Sequence, residues 1–267
     1  MMPRNVDNNP AGRERIDFVI GGTQKGGTSA LDQYLRLHPD LCMAHRKEPH
    51  FFDNEEVFAS QSVSVTPYHA NFDWTDPERI RGEATPIYMY WSSTPRRIWQ
   101  YNPSMKWILI LRNPIERAYS HWNMETQRNA ERLPFFAAIE QERARVRTHL
   151  PHQHRRHSYI DRGYYCEQIR RIWHLFSQER TLILRNEELR RQPQATIHKI
   201  CDFLGAARMR IDVSLTAHEL PYKSAMTSHE RQLVQAILEP EIHALERLLG
   251  WDCSGWLREP ERSVAAG

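Results

Sequence analysis

The sequence predicts an α/β fold: a three-layer, P-loop-type arrangement with a central, mainly parallel sheet flanked by helices. Three observations carry this. Strand-like and helix-like runs alternate along the chain, which favours a sheet covered by helices. The run KWILIL at 106–111 is apolar almost throughout, as expected of a strand buried on both faces of a parallel sheet. The stretch GGTQKGGTSA at 21–30 puts a glycine loop between a β-rich run and a helical one.

In chain order, IDFVIGG at 16–22 reads as the first strand, and TSALDQYLRLHP as a helix ended by Pro39. LCMA at 41–44 reads as a short second strand, and 54–78 has no clear period. A strand over 79–83 stops at Pro86. Ser93 or Thr94 caps a short helix with Pro95 in its first turn. After KWILIL, Asn113 caps a helix opened by Pro114 and running to about residue 128. Helices are expected at 135–147, 164–177 and 193–204, with a strand at 181–184. Thr227 and Glu230 form a capping box for a last helix, which Pro240 restarts or kinks and Gly250 ends. There are no repeats, so the expectation is a single domain over 16–257 between tails at 1–15 and 258–267.

Composition sets broad limits. The 267 residues are 26% charged and 40% hydrophobic, with a net charge of +3, which argues against a strongly basic nucleic-acid binder and is compatible with an anionic ligand. No apolar run approaches a membrane span, and the first residues lack an apolar signal core. Cys42, Cys166, Cys201 and Cys253 are scattered without zinc spacing, so the expectation is four reduced thiols and a cytoplasmic location.

The glycine loop departs from the usual G-x-x-x-x-G-K-[ST] pattern. Gly21, Gly26 and Thr28 fit, but Gly27 holds the lysine position and Lys25 precedes the second glycine. Backbone N–H groups around Gly26 and Gly27, the hydroxyls of Thr28 and Ser29, and the positive end of the following helix suit phosphate oxygens. A kinase or GTPase usually has an aspartate near a neighbouring strand end to hold Mg²⁺. Here KWILIL leads into Arg112, whose planar fork suits a second phosphate, with Ser120 about two turns along the next helix. KEPHFFD at 47–53 gathers Glu48, His50 and Asp53 beside Phe51 and Phe52. Two such aromatics exclude water and are expected to raise a nearby carboxylate's pKa, improving it as a general base.

Together these segments resemble the sulfotransferases that use 3′-phosphoadenosine 5′-phosphosulfate (PAPS), in particular the heparan sulfate sulfotransferase branch and its bacterial relatives. GGTQKGGTSALDQYLRLHPD is similar to that branch's 5′-phosphosulfate loop, ILILRNPIERAYSHW to its 3′-phosphate motif, and KEPHFFD to its E-x-H-F-F-D segment. The resemblance spans about residues 16–257. It implies transfer without a required metal. Lys25 would contact the 5′-phosphosulfate and stabilise the leaving phosphate, and Gly26, Gly27, Thr28 and Ser29 would cradle it. Arg112 and Ser120 would hold the 3′-phosphate. Glu48 would be the general base for an acceptor hydroxyl or amine, with His50 and Asp53 positioning the acceptor or Glu48. The family's E-K-T-P lysine is missing, since the chain reads Glu83-Ala84-Thr85-Pro86; this bears on the acceptor more than on the donor.

SYIDRGYY resembles a segment near the donor's 3′-phosphate, which adds Arg162 and Gly163 as binding candidates. PYKSAM at 221–226 adds Tyr222 and Lys223, on a loop that would close over the donor. The 143–157 run, with five arginines, four histidines and no acid, reads as a solvated helix end and loop; an anionic acceptor or a metal are the alternatives. The acceptor stays open among small-molecule, carbohydrate and lipid-linked classes. Two other functions also stay open: a P-loop kinase-like phosphoryl transferase, and a non-catalytic module that binds a nucleotide or an anionic glycan.

Overall fold

The structure is a computed structural model that describes residues 15–60, 62–212, 222 and 224–258. The expected tails lie outside these residues except for Arg15 and Arg258, and Lys223 lies outside them too. The chain divides into two compact units, Met1–Arg112 with Gln168–Pro221, and Asn113–Glu167 with Tyr222–Gly267.

The first unit is built on a five-stranded sheet: β1 (Phe18–Gly22), β2 (Leu41–Met43), β3 (Ile80–Ala84), β4 (Lys106–Leu111) and β5 (Thr181–Arg185). The order is β2-β3-β1-β4-β5 and every pairing is parallel. The chain steps from β1 outward to β2, back to β3, then across β1 to β4. This brings the carboxyl ends of β3, β1 and β4 side by side, where parallel α/β sheets bind ligands. β4 matches the expected 106–111, and its residues from Trp107 to Leu111 are fully buried. Phe18, Ile20, Ile108, Ile110 and Leu184 pack against Leu31 and Leu35 of α1 (Thr28–Arg36) and Ile197 and Ile200 of α9 (Pro193–Leu204). Lys106 Nζ donates to the carbonyls of Phe203 and Leu204 at 2.8 and 2.9 Å, placing a cation on the negative end of α9.

The segment 54–78, without a period in sequence, holds two short helices, α2 (Glu55–Ala59) and α3 (Thr66–His69). Asn54 caps the first, its side chain accepting from the Glu56 and Val57 N–H groups, and buried Phe58 and Tyr68 anchor the two helices. α4 (Thr94–Tyr101) follows as expected, although neither Ser93 nor Thr94 supplies a side-chain cap: Ser93 stands at the cap without such a bond. A further helix, α8 (Asn186–Arg191), follows β5 where none was expected.

The second unit contains α5 (Pro114–Gln127), α6 (Phe135–Arg147), α10 (Ser228–Leu249) and α11 (Ser254–Leu257), with a 3-10 turn at Asp161–Gly163. The Ile115 N–H donates to Asn113 Oδ1 at 3.0 Å, so Asn113 is the cap that the sequence indicates. The capping box of Thr227 and Glu230 is formed, and α10 runs through Pro240 as one helix instead of restarting there. Arg231 ties α10 to α5 through Glu116 at 2.5 Å and to α11 through the Trp256 carbonyl at 3.1 Å. α7 (Tyr165–Trp173) links the units and is shorter than the expected 164–177.

Candidate active site

The loop after β1 is anchored to its neighbouring strand. The Thr23 N–H donates to the Ile110 carbonyl of β4 at 3.0 Å, and the Gly26 N–H folds back to Thr23 O at 2.9 Å. Lys25 has φ 68 and Gly27 φ 108, so the chain passes twice through the left-handed region before α1 begins. Gly26 is required by space: a Cβ there would lie 2.4 Å from Ile110 O. Gly27 is required by backbone and neighbour alike, since a Cβ would meet Asn186 Nδ2 at 2.8 Å. Gly27 is also the N-cap of α1, which has no side-chain cap bond and no acid in its first turn. The first N–H groups of that helix therefore form an anion-seeking end. Thr28 is buried there and Ser29 exposed.

Two side chains fix this loop from elsewhere in the unit. Arg112, just past β4, donates from Nη1 to Lys25 O at 3.4 Å. Asn186, the first residue of α8, donates from Nδ2 to Gly26 O at 2.7 Å. Asn186 is a residue that the sequence reading missed. Its signal was present: NEELRR has acids in the first turn and arginines in the last, the charge order that suits a helix dipole.

KEPHFFD sits at the carboxyl end of β3, with the Glu48 N–H donating to Ala84 O at 3.1 Å. Its polar side chains form a line. Lys47 Nζ is 2.7 Å from Glu48 Oε1, His50 Nε2 is 3.3 Å from Glu48 Oε2, and His50 Nδ1 is 3.0 Å from Asp53 Oδ2. Asp53 is fully buried, whereas the side chains of Glu48 and His50 are 37% and 42% exposed. Glu48 and His50 both have left-handed backbones, φ 58 and 54, a local strain of the kind that collects at functional sites.

The electrostatics correct one expectation. Burial alone would push Glu48 up, but the hydrogen bond from His50 and the charge of Lys47 outweigh it and hold the carboxyl at about 2. The aromatic pair therefore does not raise Glu48. Hydrogen bonds to Asp53 and then Glu48 raise His50 to about 9, against the effect of burial. Beside this segment, Glu83 is a carboxyl that burial does raise: it is fully buried and pushed up to about 7 by desolvation.

The second unit carries the other expected binding residues. Ser120 is buried on α5. Arg162 is 2% exposed, and its Nε and Nη2 donate to Ser158 Oγ at 2.9 Å and Arg155 O at 2.7 Å. Gly163 lies against Leu238 and Pro114, where a Cβ would be 3.2 and 3.4 Å from them. Tyr222 is exposed, with its ring 5.7 Å from that of Tyr119. In the 143–157 run, burial and the neighbouring histidines hold His154 at about 4, and its Nδ1 accepts the N–H groups of Arg156 and His157. No group of three or more His, Cys, Asp or Glu among the described residues is arranged to hold a metal ion. No helix among them is long and apolar enough to cross a membrane.

A parallel α/β sheet with a glycine loop after its central strand defines a P-loop-type fold. The sequence profile of the Sulfotransferase domain family matches residues 15–235, and the chain belongs to that family. It is 31% identical over 207 residues to heparan sulfate glucosamine 3-O-sulfotransferase 6 of Mus musculus, covering 78% of this chain and 57% of the relative. The Homo sapiens counterpart is 32% identical over 202 residues, covering 75% and 56%. The chain thus spans just over half the length of these curated relatives. Among solved structures it is similar to a sulfotransferase from Alicyclobacillus acidocaldarius, with TM-score 0.79 and 29% identity, over 92% of this chain and 100% of that one. A sulfotransferase domain from the curacin biosynthetic pathway has the same fold, with TM-score 0.51 at 15% identity.

Proposed function

We propose that the chain transfers a sulfuryl group from PAPS to a hydroxyl or amine of a carbohydrate, a small metabolite or a lipid-linked precursor. The observation that carries this reading is the convergence, at the carboxyl ends of adjacent strands, of an uncapped helix start with Lys25 and Arg112 on one side and the Lys47–Glu48–His50–Asp53 line on the other.

The residues present fit the donor. Gly26 and Gly27 let the loop pack against Ile110 and Asn186 where a Cβ would clash, which holds the start of α1 in place, while Lys25 belongs to that loop and Arg112 is bonded to its backbone. In this reading Gly26, Gly27, Thr28 and Ser29 hold the 5′-phosphosulfate, while Lys25 stabilises the charge that develops on the leaving phosphate oxygen. Arg112 and Ser120 hold the 3′-phosphate, with Arg162, Gly163, Tyr222 and Lys223 as further candidates. PAPS supplies an activated sulfuryl group and leaves as 3′-phosphoadenosine 5′-phosphate.

Glu48 takes the acceptor's proton. At rest each of its oxygens has a cationic partner, which keeps it ionised and also weakens it as a base. An incoming acceptor would displace Lys47 or His50, and the loss of a partner raises the carboxyl towards its ordinary value. His50, protonated at neutral pH, donates to Glu48 and is held by Asp53, which makes it an orienting group in the resting site.

The carbohydrate class is supported by the relatives' action on heparan sulfate glucosamine. Ala84, where a lysine stands in E-K-T-P, leaves the particular acceptor to experiment. A single domain over 16–257 belongs to the proposal and is supported by a profile match that runs through both units. So does a cytoplasmic location, supported by four buried cysteines with free thiols.

The test is calorimetric binding of 3′-phosphoadenosine 5′-phosphate in EDTA, with ATP and adenosine 5′-phosphate as controls. Tight binding that needs the 3′-phosphate and is lost in Arg112→Ala supports the donor site, and acceptors are then screened with labelled PAPS. Binding of ATP with Mg²⁺ alone would sink the reading in favour of a kinase. Donor binding without transfer to any acceptor would favour a non-catalytic module.

A further inference from the structure

Glu83 lies outside the residues assigned to donor or acceptor, yet it is the most enclosed carboxyl near them. It is the last-but-one residue of β3, before Ala84, and is fully buried. Its Oε1 accepts the hydroxyls of Tyr68 at 3.0 Å and Tyr88 at 2.8 Å, and Oε2 accepts that of Thr85 at 2.5 Å. Both tyrosines are buried, and both carry the next residues of the site. Phe51 stacks on Tyr68 at 4.7 Å and 14°. Phe52 meets Tyr68 and Tyr88 edge-on at 5.1 and 5.8 Å, and its N–H donates to Tyr88 Oη at 3.5 Å. Phe51 and Phe52 are the two residues between His50 and Asp53.

We propose that Glu83 is a positioning residue for the Glu48–His50–Asp53 line, fixing the tyrosine floor under Phe51 and Phe52 and adding a second buried charge beside Asp53 when it ionises. This rests on the sulfuryl-transfer reading for its purpose, although not for its test. The groups that face Glu83 are Tyr68 from α3, Thr85 and Tyr88 after β3, Asp53 from the 47–53 segment and Tyr101 from α4. Burial raises Glu83 most, three hydroxyl donors lower it, and Asp53 raises it further. The balance, about 7, makes the charge of this floor change in the neutral range, where His50 is still protonated.

The experiment is a proton NMR titration of His50 in the free protein, assigned with His50→Gln. In the wild type the His50 shift should show a main midpoint near 9 and a smaller inflection near 7 from Glu83. Glu83→Gln should remove the inflection and lower the main midpoint by about half a pH unit, since Glu83 is coupled by charge to Asp53, which is bonded to the imidazole, and loss of a nearby anion disfavours the imidazolium. Tyr88→Phe keeps the carboxyl but deletes a donor to it, so the inflection should move to higher pH. A merely structural role would give no inflection near 7 in the wild type and no shift of the main midpoint in Glu83→Gln. An unchanged midpoint and inflection in Glu83→Gln, or an unmoved inflection in Tyr88→Phe if the first variant does not fold, overturns the inference. Calorimetry with 3′-phosphoadenosine 5′-phosphate is scored separately: failure there sinks the donor reading and leaves the titration result standing.

Discussion

His50 Nε2 stands 3.3 Å from Glu48 Oε2, and the two residues share the left-handed backbone that turns their side chains towards each other. With Lys47 on the opposite oxygen, Glu48 is a carboxylate clamped between two cations. This is a resting state, charged and waiting.

Glu48→Gln is expected to bind 3′-phosphoadenosine 5′-phosphate within about twofold of wild type while the transfer rate falls by roughly 10²–10⁴, the usual contribution of a general base. Calorimetry and labelled-PAPS turnover measure the two quantities. Near-normal turnover would remove Glu48 from the role and make His50 the next candidate.

Lys25→Ala should lose both. It removes the cation next to the glycine cradle, so transfer should be abolished and donor affinity should fall by about tenfold or more, the loss expected for one charge-assisted bond. An intact affinity would mean that Lys25 points away from the donor.

Asn186→Ala tests a residue with no charge and no place in the glycine pattern. Loss of its 2.7 Å bond to Gly26 O should cost about 1 kcal/mol of stability and loosen the loop, weakening donor binding several-fold. Thermal melts and calorimetry check both effects. Gly27→Ala should be worse, because it puts a Cβ on φ 108 and against Asn186 Nδ2, at a cost of about 1–3 kcal/mol.

The ion-pair line has a pH signature. His50 is raised from 6.5 to about 9 on folding, so its contribution to stability is complete below about 6.5 and is lost as pH rises through 9. Glu48 is lowered from 4.5 to about 2, so its contribution is complete above about 4.5 and is lost as pH falls towards 2. Both groups are more than a third exposed, so solvent screening keeps the amplitude small. His50→Gln should flatten the decline of the melting temperature between pH 6.5 and 9. An unchanged slope would mean that His50 titrates normally.

Much of this site is legible in sequence because its parts are contiguous. The loop at 21–30, Arg112 after KWILIL, and the 47–53 segment each announce themselves within ten residues, and strand ends bring them together. What escaped depends on distance. Asn186 matters only because β5 lies next to β4, and α8 is too short for a periodic signal. Glu83 looks like an ordinary strand glutamate until Tyr68 and Tyr88 close over it. α2 and α3 fail for the same reason, since helices of five and four residues are held by buried Phe58 and Tyr68 more than by local preference. The pKa of Glu48 departs from the sequence expectation because adjacent aromatics suggest a raised carboxyl, whereas the decisive neighbours are His50 through a backbone turn and Lys47 in sequence.

The tether from Asn186 to Gly26 also has a meaning in time. β1 and its loop leave the ribosome early, but β5 pairs with β4 from Thr181 onward and Asn186 comes after it. Pairing across so long a stretch of chain is slow to form. Until it forms, β4 has an open edge and the loop lacks its clamp. A nascent chain stopped before residue 181 would already carry Lys25, Gly26, Gly27 and Arg112 and still lack the Asn186 tether that fixes their loop.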